Sequence, residues 1–134
     1  MNKHYLAGFF DADGYISAVK EKRDEERKII CGFTNTREEL IKVIRMYIET
    51  TYKIRMRLSK KDRKKENHEI GFDLKVSGPN AVKLLTILPI KHPKKIKRLA
   101  LAREIQRLTP RNGKYKEDDL AKRRKLCEDL LNTK

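Results

Sequence analysis

The chain has no tryptophan, two cysteines and no long apolar run, and each scarcity excludes a class of protein. Cys31 and Cys127 are too few for a disulfide framework or a zinc site, so both are expected to be buried thiols of an intracellular protein. No stretch approaches the length of a membrane span and no signal-peptide pattern opens the chain, so no membrane partner is expected. His4, His68 and His92 lack ligand spacing and are predicted to be non-catalytic.

Positive charge is what the chain has in excess. It carries 34 lysines and arginines against 19 acidic residues, a formal charge of +15 over 134 residues. This imbalance predicts a polyanionic partner, and without a membrane segment that partner is nucleic acid. Charged residues make up 40% of the chain, a proportion that hints at a thermophilic source.

Apolar spacing predicts a single α+β domain. Alternation predicts four half-buried strands, at about 15–22, 28–34, 53–59 and 70–77. Helical spacing predicts helices at about 2–12, 36–51, 79–88, 93–109 and 117–131, the second of them opened by a Thr36–Glu39 capping box. One face of a four-stranded antiparallel sheet would be covered by helices, and the other would be polar, basic and bare.

The domain divides into a core, residues 1–109, and a linker with a C-terminal helix packed on it, residues 110–134. This last helix would either cap the core or contact phosphates through Lys122, Arg123 and Arg124.

The stretch Leu6–Gly14 carries the most specific signal. Gly8 and Ala12 lie four residues apart, so they share a helix face on which a second helix could approach closely. Asp11 and Asp13 fall where the helix ends, with Gly14 supplying a left-handed or otherwise permissive turn. Carboxylates at the negative end of a helix dipole are unfavourable unless a cation joins them.

These nine residues resemble the LAGLIDADG motif of homing endonucleases, with Phe9 and Phe10 in place of the Leu-Ile pair. The resemblance extends over about residues 3–108, because the family core has the same αββαββα order. It implies a saddle-shaped sheet that lies in the DNA major groove. It also implies a site-specific, metal-dependent double-strand DNA endonuclease.

The resemblance further assigns roles at the helix end. It makes Asp13 the metal ligand and the backbone carbonyl of Ala12 a second oxygen ligand of the same metal. It leaves Asp11 chiefly structural. The implied metal is Mg²⁺, with Mn²⁺ as a substitute and Ca²⁺ supporting binding without cleavage.

Two further catalytic residues follow from the resemblance. The family places an active-site lysine after the proline-broken helix, where Lys94 is preferred and Lys91 or Lys95 stay open. Asn35 occupies the position of a polar residue near the metal, although it could equally belong to the turn before the next helix.

One motif per chain implies a homodimer on a near-palindromic site. The expected interface comprises Leu6, Gly8, Phe9, Asp11 and Ala12.

The basic stretch Lys53–Lys65 is the clearest candidate for DNA contact, because it holds eight basic residues against Asp62 alone. Arg55 and Arg57 share a strand face, from which arginine reads guanine in the major groove. Lys60, Lys61, Arg63, Lys64 and Lys65 are expected in the following loop, on phosphates. The complete predicted DNA-binding set is Ser17, Val19, Glu21, Lys28, Ile30, Gly32, Arg55, Arg57, Ser59, Lys60, Lys61, Asp73 and Lys75.

An alternative function remains open. Some LAGLIDADG proteins are RNA maturases that bind an intron, and others regulate transcription without cutting. A basic sheet suits all of these, whereas an acid amid phosphates is needed only by the nuclease.

Overall fold

The computed structural model describes residues 1–61 and 70–133. Four strands and five helices follow one another in the order expected of an αββαββα core with two further helices. Their bounds are α1 Lys3–Asp13, β1 Gly14–Val19, β2 Lys28–Asn35, α2 Glu38–Tyr52, β3 Arg57–Lys61, β4 Gly71–Ser77, α3 Pro79–Ile87, α4 Pro93–Arg107 and α5 Glu117–Leu131. The α+β prediction is confirmed.

The four strands form one antiparallel sheet in the order β1-β2-β4-β3. Side chains alternate between its two faces, so Ile16, Cys31 and Val76 share the helix-covered face while their sequence neighbours share the other. We call that other side the open face. The end of the sheet where β2 finishes lies next to the end of α1, since β1 begins there at Gly14.

The helices bury one hydrophobic core against the sheet. Helix α1 contributes Leu6, Ala7 and Phe10, and the ring of Phe10 packs edge-to-face on Phe33 with 5.4 Å between the centroids. The side chain of Asn2 caps α1 by accepting the backbone N–H of Tyr5 at 2.9 Å, as its N-terminal position predicts.

Two local expectations were wrong. Thr36 does not cap α2, because Asn35 Oδ1 accepts the backbone N–H of Arg37 at 2.8 Å and the helix starts later, at Glu38. Lys53 adopts a left-handed conformation (φ 57°) at the end of α2. The chain therefore enters β3 only at Arg57, and Lys60 lies within this strand rather than in the following loop.

Arginines cover the outer edge of β1, which has no partner strand in the sheet. The backbone carbonyl of Ile16 accepts from Arg98 of α4 at 2.9 Å, and that of Ala18 accepts from Arg27 at 3.0 Å. These bonds satisfy edge groups that would otherwise invite another strand. Among the helices of the described residues, none is long and apolar enough to cross a membrane.

Candidate catalytic centre and nucleic-acid interface

The end of α1 has the cation that its acidic sequence requires. Lys95, on the first turn of α4, donates to the backbone carbonyls of Phe10 at 2.7 Å and Asp11 at 2.6 Å. Both carbonyls belong to the last helical turn, at the negative end of the helix dipole, and that of Phe10 also accepts the backbone N–H of Gly14. Burial lowers the pKa of Lys95, while the nearby carboxylates of Asp11 and Asp13 oppose that decrease.

Asp11 binds the other side of this junction. Its carboxylate accepts the backbone N–H of Lys91 at 3.0 Å and that of His92 at 3.2 Å, immediately before α4 begins. An acid at a helix N-terminus is stabilised by the dipole. Asp11 thus joins α1 to α4.

Asp13 is exposed at the tip of α1, and the structure brings it together with Asn35. Asn35 Nδ2 donates to Asp13 Oδ2 at 3.2 Å, while its Oδ1 holds the turn before α2. Asn35 therefore makes both of the contacts that were open for it, one with Asp13 and one within the turn before α2. No side-chain donor in residues 1–60 or 70–133 reaches Asp13 Oδ1 or the carbonyl of Ala12.

The lysine nearest this centre is the one that sequence reasoning ranked below Lys94 and Lys91. Lys94 is exposed and lines, with Lys95, Arg98 and Asp11, a pocket of about 260 Å³ beside the tip of α1. Of Lys91, Lys94 and Lys95, the side chain of Lys95 is the one that bonds the backbone of the motif. Because neighbouring helical residues point about 100° apart, the sequence alone could not tell which lysine faces α1.

Gly14 is required by packing rather than by a left-handed turn. Its φ of −84° is ordinary, so of the two kinds of turn expected at Gly14 the left-handed one does not form. A Cβ placed there would lie 2.2 Å from a ring carbon of Phe10, closer than atoms approach. The glycine therefore lets α1 pass into β1 without an intervening residue.

The outer face of α1 is available to a second molecule. Gly8 and Ala12 are exposed, and a Cβ added at Gly8 would meet nothing within 4 Å in this chain. Tyr5 is also exposed and Phe9 half-buried beside them. Leu6 was wrongly placed in the expected interface, because the helical period turns it inward and it is fully buried in the core.

On the open face, strand register arranges side chains in rows across the sheet. One row runs Tyr15, Gly32, Lys75 and Arg57 across all four strands. The rows farther from Asp13 contain Ser17 with Ile30, and Val19 with Lys28; the row nearest to it contains Thr34, Asp73 and Ser59. Nine of the predicted DNA contacts therefore lie on the open face, as the predicted alternation of the strands requires.

Most cations of this surface are clustered near the start of β3. Arg55, Arg57 and Lys75 line an open cleft of about 590 Å³ that Ile30 and Glu21 also reach. No carboxylate within the described part of the chain pairs with these three cations. Within the described residues, their positive charge is therefore uncompensated.

Three of the predicted DNA contacts, Lys28, Lys60 and Lys61, do not join this group of cations. Lys28 lies 3.3 Å from Glu21 and 3.7 Å from Asp24, so this part of the surface is internally paired. Lys60 is opposite Phe72 and so lies on the helix side of the sheet, with its side chain exposed. The side chain of Lys61 lies outside the described residues, as do Arg63, Lys64 and Lys65.

Asp73 lies on the open face but is buried, at 3% exposure. Its carboxylate accepts a hydrogen bond that sequence reasoning did not find. Tyr15 Oη donates to Asp73 Oδ1 at 2.9 Å, and Thr34 Oγ1 donates to the same oxygen at 3.2 Å. Tyr15 reaches Asp73 by crossing Gly32, where an added Cβ would lie 2.5 Å from the phenol oxygen. Burial, and next the Asp73 carboxylate, raise the pKa of Tyr15 far above its ordinary value.

Together these features define an α+β protein with an acidic helix tip beside a basic sheet face. Comparison identifies its family. Residues 1–89 match the LAGLIDADG-like domain family, and because this is more than half of the chain, the chain belongs to that family. No curated protein sequence matches it.

Two solved structures share its fold. The LAGLIDADG meganuclease I-AabMI, bound to uncleaved DNA, superposes with a TM-score of 0.68 at 16% identity. The LAGLIDADG homing endonuclease I-GzeII, in complex with its DNA target, gives 0.67 at 10% identity. Each alignment covers 95% of this chain but only 44% and 43% of those chains, respectively, so this chain spans less than half of either.

Proposed function

We propose that the chain is a site-specific DNA endonuclease that acts as a homodimer and hydrolyses both strands of a near-palindromic duplex. The exposed tip of α1 is the observation that carries the proposal. There, Asp13 projects from a helix whose Phe10 and Asp11 carbonyls are bonded to Lys95, and whose outer face bears Gly8 and Ala12. A protein that only bound nucleic acid would have no use for this acid.

The exposed stripe on α1 supports the dimer. Two copies packed through Gly8 and Ala12 could bring their α1 helices close, because these residues hold no side chain larger than methyl. Each copy would then deliver one Asp13 to the shared axis. Two copies would also approach the length of the structural neighbours, of which one copy spans less than half.

The residues at the tip fit a divalent metal of the Mg²⁺ type. Magnesium prefers oxygen donors, usually one or two carboxylates completed by waters and phosphate oxygens. Asp13 Oδ1 and the carbonyl of Ala12 are such donors, and no described side chain bonds them. The described residues contain no cluster of three or more acidic, histidine or cysteine ligands, which agrees with a site completed by the partner and the phosphate.

When bound, such a metal activates water and stabilises the charge of the cleaved phosphate. The protein supplies the positioning. Asn35 fixes the Asp13 carboxylate through its 3.2 Å bond, and Lys95 counters the negative end of α1, beside which the scissile phosphate would lie. Lys94, exposed in the adjoining pocket, is placed to order water or bind phosphate there.

Sequence recognition is assigned to the open face. Arg55, Arg57 and Lys75, which pair with no carboxylate among the described residues, would face the major groove, which admits two-stranded β-ribbons. Mutating Arg57 should relax specificity at the base that it reads, whereas loss of a phosphate contact would weaken binding to all duplexes alike.

The decisive experiment is cleavage of a randomised duplex library with and without Mg²⁺, with Asp13→Asn in parallel. We expect metal-dependent double-strand cuts at an enriched near-palindrome, and a variant that binds this site without cutting it. Asn35→Ala serves as the graded control, because it removes the support of Asp13 and leaves the carboxylate in place.

Cleavage at the unmodified rate by Asp13→Asn would contradict the assignment of the metal ligand. Tight duplex binding with no cleavage in Mg²⁺ or Mn²⁺ would contradict the nuclease proposal. Intron RNA would then be the next ligand to test, as for a maturase.

A further inference from the structure

Tyr15 carries the first side chain of β1 on the open face, two positions after Asp13. Its partner on β2 is Gly32, which is buried although it belongs to the open face. A Cβ added to Gly32 would lie 2.5 Å from the phenol oxygen of Tyr15 and 2.7 Å from the ring carbon that bears it. Side chains of a strand ordinarily stand away from the sheet, whereas the ring of Tyr15 is laid across β2.

The hydroxyl of Tyr15 is bonded within the protein. It donates to Asp73 Oδ1 at 2.9 Å, with Asp73 Oδ2 at 3.2 Å, and Thr34 Oγ1 donates to the same carboxylate. Hydrogen bonds to a carboxylate are stronger than those between neutral groups, so this one anchors the end of the ring. Tyr15 is half-buried while Asp73 is buried, and the part of Tyr15 that stays exposed is therefore its ring.

An anchored ring presents an apolar surface to whatever lies on the open face. In the major groove, thymine alone among the four bases carries an apolar group, its C5-methyl. A phosphate or the polar edge of a base would need a hydrogen-bonding group, and the hydroxyl of Tyr15 is already bonded to Asp73. Stacking on the ring would require a base to leave the duplex, which costs a few kcal/mol. The thymine methyl is the partner that fits.

We propose that Tyr15 is a specificity-determining residue whose ring packs on a thymine methyl, and that Asp73 is a positioning residue that holds this ring across Gly32. The inference rests on the proposed DNA binding through the open face. Tyr15 lies one row beyond the row nearest to Asp13, so the thymine belongs among the innermost base pairs that the sheet covers in each half-site. Asp73 acts through Tyr15, without touching DNA.

Substitution of single thymines tests the contact. A duplex is first selected from a randomised library by binding to the unmodified chain in Ca²⁺. Each thymine of one half-site is then replaced in turn by deoxyuridine, which lacks the methyl and keeps every hydrogen-bonding group. One replacement in the inner part of the half-site should weaken binding about fourfold, the value of burying one methyl-sized group.

Two variants of Tyr15 separate the ring from its anchor. Tyr15→Ala should abolish the loss at that thymine and leave the effects of the other replacements as they are. Tyr15→Phe keeps the ring without its bond to Asp73, so the loss should fall below about twofold. Thermal melting shows that each variant is folded at the temperature of the binding assay, and Tyr15→Phe carries the test if Tyr15→Ala does not fold.

Tyr47→Phe is the matched control. It removes the same atom from a half-buried tyrosine of α2, whose hydroxyl lies 3.3 Å from that of Tyr52. Because α2 packs on the covered side of the sheet, this variant should show the same loss at the inner thymine as the unmodified chain.

An undiminished loss in Tyr15→Ala would overturn the proposal, as would a selected half-site in which no thymine methyl affects binding of the unmodified chain. The full loss in Tyr15→Phe would overturn the positioning role of Asp73. Failure of the unmodified chain to bind any duplex would instead overturn the proposed DNA binding. A methyl effect without cleavage would support the role of Tyr15 and contradict the nuclease alone.

Discussion

Removing one oxygen atom, in Tyr15→Phe, should destabilise the protein by about 2 kcal/mol. The phenol donates to Asp73, whose side chain is 3% exposed, so its loss leaves a buried carboxylate with Thr34 as its remaining side-chain donor. Hydrogen bonds to carboxylates contribute about 1.5–3 kcal/mol, and an acceptor left unsatisfied incurs its desolvation cost. For 134 residues, a loss of about 2 kcal/mol lowers Tm by about 7 °C.

Thermal melting followed by circular dichroism measures this loss. Tyr47→Phe is the control, because it deletes the same atom from a half-buried pair of neutral hydroxyls, Tyr47 and Tyr52, 3.3 Å apart. It should cost about 1 kcal/mol or less. In an Asp73→Asn background the cost of Tyr15→Phe should shrink. A Tyr15→Phe melt that matches that of Tyr47→Phe would refute the reasoning.

The other predictions concern titration, association and the helix end. Tyr15 should resist ionisation up to the highest pH at which the protein is folded. Tyr52, whose pKa is raised to about 12 by burial and by Tyr47, should ionise before Tyr15. Phenolate absorbance measures both ionisations. Because the folded pKa of Tyr15 is raised above the unfolded value of 10.0, its contribution to stability is complete below about pH 10 and is lost at higher pH; Tyr15→Phe should lose less stability there. Gly8→Leu should melt like the unmodified chain yet sediment as a monomer, since nothing in this chain lies near the new side chain; an intact dimer would contradict the packing of α1. Lys95→Met should lose about 1 kcal/mol of stability, and Lys94→Met almost none, in denaturant unfolding; equal losses would contradict the role of Lys95 at the helix end.

Local pattern predicted the architecture well because most of the strands and helices have one apolar face, β2 being buried on both sides. The alternation of Ile16 with Tyr15 and Ser17 set the facing of β1, and the observed register repeats it. The bounds of α5, from Glu117 to Leu131, are those that its spacing predicted. Such periodicity is local, so it can be read without knowing what lies on the other side of the core.

The errors arose where a polar group had more than one possible hydrogen-bond partner. Asn35 and Thr36 could both satisfy the start of α2, and Asn35 prevailed, which no spacing rule decides. The open face of Asp73 was correctly read, but its partner was not, because Tyr15 reaches it only across the gap left by Gly32 on the intervening strand. Long-range contacts of this kind depend on strand order, which alternation does not encode.

The direct passage of α1 into β1 has a mechanical consequence. Asp13 is the last helical residue and Gly14 the first of the strand, with the ring of Phe10 packed where a longer side chain would force them apart. In a dimer built on α1, this hinge-free joint would fix the distance from the symmetry axis to the first row of side chains in the groove. The spacing between half-sites would then be a rigid dimension of that dimer. A target lengthened by one base pair at its centre would have to distort, since the protein has no slack with which to follow it.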